Sequence, residues 1–201
     1  MNMTKLSKRN IILAFVGTVV LGVGIGMMAK VGLGTDSLSA CYVGISNLSG
    51  LSLGTVSAYA NAILIALSLF LYKKNVGPAT VLFMLISKWP IDFAQTHMIH
   101  SDNLFVSIVL CLLSVVIIAL GCELFILSDL GAESYTAFTM GIGKRLKHEV
   151  KYVYIRYVCD GLLLVLALIV GGKIGIGTVI SWTLMGTLMK MWQGVLEYIL
   201  K

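Results

Sequence analysis

Apolar residues run along this chain in blocks longer than a soluble helix or strand requires. Positions 11–29 pass nineteen residues without a charge, which at 1.5 Å per residue covers about 28 Å of a hydrocarbon core roughly 30 Å thick. Further blocks at 53–72, 76–95, 104–127, 152–170 and 174–195 predict five more membrane helices. The first block is too long for the apolar part of a signal peptide and lacks a small-residue cleavage site, so it is expected to remain as a membrane helix. Two segments, 35–50 and 131–150, mix Thr, Ser and Gly into otherwise apolar sequence. Each is compatible with a helix that crosses, dips in and returns, or lies at the interface.

Basic residues choose between these layouts, because cytoplasmic loops hold the excess of Lys and Arg. With six crossings and the N-terminus inside, ten fall in the cytoplasm: Lys5, Lys8, Arg9, Lys73, Lys74, Lys144, Arg145, Lys147, Lys151 and Lys201. Only Lys30 and Lys173 are then outside. If both intermediate segments also cross, Lys73 and Lys74 change sides and the tally becomes eight against four. The expected architecture is therefore all-α, with six membrane helices plus two short re-entrant or interfacial helices. Eight crossings are the alternative.

Composition removes the soluble classes. Of 201 residues, 58% are hydrophobic and 12% charged, against about 25% charged in ordinary globular chains. A water-soluble fold would expose apolar patches that soluble monomers avoid. The net charge of +6 follows from membrane orientation, and no nucleic-acid partner is expected. Cys41, Cys111, Cys122 and Cys159 lie within candidate membrane segments and read as reduced thiols rather than a disulfide scaffold. Neither a phosphate-binding glycine loop, a dinucleotide fingerprint, H-E-x-x-H nor C-x-x-C occurs, so neither catalysis nor a cofactor is expected.

The chain also repeats itself. A shift of 97 superposes Gly24 on Gly121, Leu33-Gly34 on Leu130-Gly131, Ser37 on Ser134, Ala40 on Ala137, and Gly44-Ile45 on Gly141-Ile142. That is seven identities in 22 positions, and Asp36 meets Glu133. A shift of 98 superposes Tyr59 on Tyr157, Gly77 on Gly175, Thr80-Val81 on Thr178-Val179, and Gln95 on Gln193. One membrane domain, 1–201, is thus expected to hold two halves, 11–97 and 104–196. Three crossings per half force the halves into opposite orientations, a 3+3 inverted repeat like that of many transporters, whose sites lie between the halves. Four per half would make a 4+4 parallel repeat.

Glycine-rich motifs carry a family resemblance. Gly22-Val-Gly-Ile-Gly26, Leu33-Gly-Thr-Asp-Ser37, Gly44-Ile-Ser46, Gly50-Leu-Ser-Leu-Gly54 and Gly175-Ile-Gly-Thr178 resemble the YczE/YyaS/YitT group of bacterial inner-membrane proteins over nearly the whole chain. The resemblance implies a multi-pass cytoplasmic-membrane protein and little chemistry. Ser37 stands where such motifs commonly carry Pro, which implies a less rigid turn.

Candidate functional residues are the charges that membrane segments would have to bury, at about 3 kcal/mol each on insertion scales. Asp36 and Glu133 begin the two intermediate segments. Each reads as an N-cap, or as an acid at a short-helix end aimed at a shared centre, where it disfavours an anion and favours a cation, an amine or a proton. Lys88 with Asp92, and Arg156 with Asp160, stand at i and i+4 and can neutralise each other. The 98-residue shift also brings Asp92 onto Lys190, a candidate pair across the halves, with Lys88 and Glu123 in the same polar centre. Snorkelling to the interface is the competing reading for Lys88, Lys190 and above all Arg156. Pro90 is expected to kink its helix near Lys88 and Asp92.

Packing accounts for Gly22 and Gly26, a G-x-x-x-G pair, and a helix-to-helix hydrogen bond for Asn61. His97, His100 and Asp102 flank a turn without a further evident metal ligand. The expected function is a transporter or channel for a small polar solute or ion. Alternatives are an accessory or scaffold protein and a substrate-binding subunit of a larger transporter. Expected partners are the lipid bilayer, that solute or ion, and a second copy or another membrane protein.

Overall fold

The structure, a computed structural model, describes residues 7–99, 101–146 and 152–199. Every regular element among them is helical: α1 (Lys8–Val31), α2 (Ser37–Ser49), α3 (Leu53–Tyr72) with a 3-10 turn (Lys73–Asn75), α4 (Pro78–Ile86), α5 (Lys88–His97), α6 (Leu104–Leu127), α7 (Ser134–Arg145), α8 (Tyr152–Ile169) and α9 (Ile176–Ile199). Three stretches, Lys8–Val31, Leu53–Asn75 and Leu104–Leu127, are long and apolar enough to cross a bilayer. The protein is an integral membrane protein.

The two intermediate segments become short helices. α2 has 13 residues and α7 has 12, about 20 and 18 Å of helix, well short of the hydrocarbon thickness. The apolar block 76–95 is not one helix but two. Pro90 has no N–H and its ring crowds the carbonyl of Ile86, so the helix breaks at Ser87 between α4 and α5. Hydrogen bonds continue on either side of the break, from Ser87 N to Phe83 O at 2.9 Å and from Ile91 N to Ser87 O at 3.2 Å.

α1 packs between α6 and α5, and its glycines divide between them. A Cβ on Gly17 would lie 3.1 Å from Gly121 O and Phe125 N, while one on Gly24 would lie 3.0 Å from Ile118 N. Positions rise along α1 as they fall along α6, so the two helices run antiparallel. On the other side a Cβ on Gly22 would come within 2.7 Å of Pro90 Cγ, and one on Gly26 would meet Ile91 O. The G-x-x-x-G pair is a packing surface against α5, where missing side chains let backbones approach.

The turns before the short helices make matching contacts. Gly34 has φ +101° and Gly131 has φ +123°, conformations a side chain rarely adopts. A Cβ there would also lie 2.6 Å from Gly175 N and 2.7 Å from Gly77 N respectively. Leu33 O accepts from Gly177 N at 2.8 Å, and Leu130 O accepts from Ala79 N at 3.1 Å. The two Gly-x-x-Thr-Val runs open α4 and α9. Thr80 Oγ1 accepts from Gly77 N at 3.1 Å, and Thr178 Oγ1 from Gly175 N at 3.3 Å.

Met28, Leu53, Phe83, Ile91, Val115 and Phe125 form the heart of the core, with Phe83 edge-on to Phe125 at 5.8 Å. α8 packs on α2 and α7, and α9 on α6. An edge-to-face pair, Tyr157 and Trp182 at 5.5 Å, joins α8 to α9.

Candidate functional site

A cavity of about 660 Å³ lies where the short helices begin. Much of its wall is apolar: Leu21 and Ile25 of α1, Phe83 of α4, Ile118 and Phe125 of α6, and Met185 of α9. Its polar part comes from the helix starts and from α8, with Asp36, Ser37, Glu133, Tyr135, Thr136, Arg156 and Asp160. Tyr157 and Trp182 also line it, and both remain about half exposed on the outer surface.

Asp160 organises the polar part. Its Oδ1 accepts from Ser37 Oγ at 2.7 Å and from Tyr135 Oη at 2.6 Å, and its Oδ2 lies 3.5 Å from Arg156 Nε. The Arg156 guanidinium stands over the Tyr135 ring, 4.5 Å from its centroid, a geometry in which the ring quadrupole attracts the cation. Arg156 also donates to Thr136 Oγ1 at 3.4 Å, and that hydroxyl donates to Glu133 Oε2 at 3.0 Å. One chain of contacts therefore joins α2, α7 and α8.

Asp36 and Glu133 are the N-caps that the sequence offered as one reading of them. Each caps its helix: Asp36 Oδ2 accepts from Ser39 N at 3.2 Å, while Glu133 Oε1 and Oε2 accept from Tyr135 N at 2.9 Å and Thr136 N at 3.1 Å. Both also line the cavity. Asp36 Oδ1 is buried there without a hydrogen-bond partner. Resident carboxylates thus already hold N–H groups that would otherwise receive an anion.

The remaining four sequence candidates lie elsewhere. Asp92 does not reach Lys190. Its Oδ1 accepts from Gly54 N at 2.7 Å and its Oδ2 from Ser52 Oγ at 2.8 Å, so it serves the N-terminus of α3. Lys190 is exposed on α9, and Lys88 is half-buried beside Gly54, with its carbonyl against that glycine. Glu123 is buried within α6 and is not part of the cavity wall. Among the described residues the Lys88/Asp92 spacing yields no ion pair, whereas the Arg156/Asp160 spacing does. His97 stacks on Phe93 at 4.7 Å, and His100 lies outside the described residues. Asn61 donates to Ser57 Oγ at 3.2 Å and accepts from Tyr42 Oη at 3.5 Å, the second bond joining α3 to α2.

Tyr135 and Ser37 escape sequence reading as site residues, because only the fold brings them to Asp160. The i,i+4 pair Arg156 and Asp160 was the available signal, though Arg156, four residues into its span, reads first as a snorkelling charge.

Comparison with known proteins agrees with the glycine motifs. Residues 8–194 match the model of a family of unknown function, DUF6198. The chain belongs to this family. It is 26% identical to the uncharacterized protein YyaS of Bacillus subtilis over 185 residues, 90% of this chain and 91% of that one. An uncharacterized protein of Haemophilus influenzae is 22% identical over 177 residues, 88% of this chain and 80% of the relative. No solved structure matches.

Proposed function

We propose that this family member is a transporter or channel for a small solute, without enzymatic activity, with the cavity between two inverted halves as its site. The observation that carries the reading is the composition of the wall. Residues of α1, α2, α3 and α4 from one half and of α6, α7, α8 and α9 from the other enclose one volume, and the charged caps of both short helices enter it. Its size lies in the range of roughly 300–1,000 Å³ common to small-molecule sites.

Chain direction supports the six-crossing, inverted layout. With the short helices re-entrant, α1 is the first crossing and α6 the fourth, so they run antiparallel, as the facing of Gly17 to Gly121 and Gly24 to Ile118 requires. With eight crossings α6 would be the fifth and would run parallel to α1. The reciprocal bonds Leu33–Gly177 and Leu130–Ala79 also support a two-fold relation, since each joins one half's turn to the other half's last apolar segment. The excess of basic residues supports an N-terminus on the cytoplasmic side of a bacterial membrane.

A specific observation favours association with another membrane protein or a second copy. Gly161 on α8 and Gly194 on α9 have open space where a Cβ would be, and such positions let helices of a partner approach. Purified protein in liposomes decides between the readings. Solute flux, with ligand-dependent thermal stabilisation, is expected. No flux and no stabilisation, together with a partner that co-purifies stoichiometrically, would overturn transport in favour of an accessory role.

A further inference from the structure

The cavity joins two features that a small ion does not need together, a surplus of negative charge and a large apolar wall. Its lining includes four acids, Asp36, Asp129, Glu133 and Asp160, and two cations, Lys74 and Arg156. With all ionised, four against two leaves a net charge of −2. The helix N-termini do not reverse this sign, because Asp36 and Glu133 already occupy N–H groups there. One carboxylate oxygen, Asp36 Oδ1, is buried and still lacks a donor.

A bare metal ion would use little of this space. Among the described residues no three His, Cys, Asp or Glu side chains are grouped to hold one. A proton needs no cavity of about 660 Å³. The volume, the Leu21, Ile25, Ile118 and Met185 surface, and the rings of Phe83 and Phe125 suit an apolar body. Burial of such a body contributes about 25 cal/mol for each Å² removed from water. Tyr42 and Trp182 also line the cavity, and aromatic rings attract an ammonium over their faces.

We propose that the solute bound here is an organic cation with an apolar body, an amine or quaternary ammonium whose charge lies by Asp36 and Glu133. The proposal rests on the cavity being the solute site.

Tetraphenylphosphonium and its anionic isostere tetraphenylborate test it, with Trp182 as reporter in full-length protein carrying Trp89→Phe and Trp192→Phe. The phosphonium should give a saturable change in Trp182 fluorescence and the borate none. Asp36→Asn removes a charge but keeps a side chain that caps a helix as well as Asp, and should weaken phosphonium binding about tenfold, the equivalent of one lost charge interaction near a partly buried site. Arg156→Gln removes a competing cation and should tighten binding, a direction that general loss of folding does not produce.

Saturable binding of the borate but not the phosphonium would overturn the solute class and leave the cavity as a site. Phosphonium binding unchanged by Asp36→Asn in a folded variant would also overturn it. Binding as expected without flux into liposomes would uphold the solute class and overturn transport. Binding of neither probe would overturn both.

Discussion

Asp92 accepts two hydrogen bonds at the N-terminus of α3, from the capping Ser52 and from Gly54, and this decides a question that residue spacing leaves open. A pair bridging the halves would make Asp92→Asn or Lys190→Met alone cost about 3–5 kcal/mol, with much of the loss recovered in the double variant. The observed bonds predict otherwise. Removing the carboxylate, as in Asp92→Ala, should cost about 1 kcal/mol, comparable to losing a helix cap. Lys190→Met should be nearly neutral because the side chain is exposed. Chemical unfolding in detergent should show the two effects adding to within about 0.5 kcal/mol, and a strong positive coupling would restore the bridging pair. Arg156 teaches the converse lesson. Its neighbour Asp160 was visible four residues away, but its aromatic platform Tyr135 lies 21 positions off in sequence and on another helix.

At the scale of elements, glycines decide how closely helices approach. Gly26 faces Ile91 O, Ala94 and Gln95 of α5, and backbone atoms cannot swing aside as a flexible side chain does. Gly26→Val should therefore separate α1 from α5 and cost about 1–3 kcal/mol or more, as overpacking does. Gly194→Ala meets nothing within 4 Å, and in a helix Ala is favoured over Gly by roughly 1 kcal/mol. Melting of the purified variants should show a lower midpoint for the first and an equal or higher one for the second. An equal fall in both would mean that α9 is covered where it now stands open. The motif showed that helices approach at Gly22 and Gly26. It did not show that α5, rather than α6, is the partner.

For the whole molecule, chain direction is the testable quantity. Lys74 and Lys173 are both exposed, and the six-crossing layout puts them on opposite sides of the membrane. In a cysteine-free background, Lys74→Cys should react with an impermeant thiol reagent only from the cytoplasmic face, and Lys173→Cys only from the outside. Labelling of both from outside would support eight crossings. The antiparallel run of α1 and α6 makes the first outcome the expected one.

The sequence by itself determined the membrane class, most of the helical blocks and the family motifs, and it marked Asp36 and Glu133 as candidate helix caps. These depend on local quantities: the length of an apolar run, the lack of an N–H at Pro90, and an acid three residues before an unpaired backbone donor. Even the break at Ser87 was legible, as a kink beside Pro90. Only the tertiary structure decided which charges share a cavity. Ser37 and Asp160 are 123 positions apart, and no periodicity links them. Asp92 and Lys190, which the repeat superposes, were separated because a nearer set of donors at Ser52 and Gly54 takes the carboxylate first. Repeat correspondence relates positions by symmetry, whereas hydrogen bonding is settled by distance.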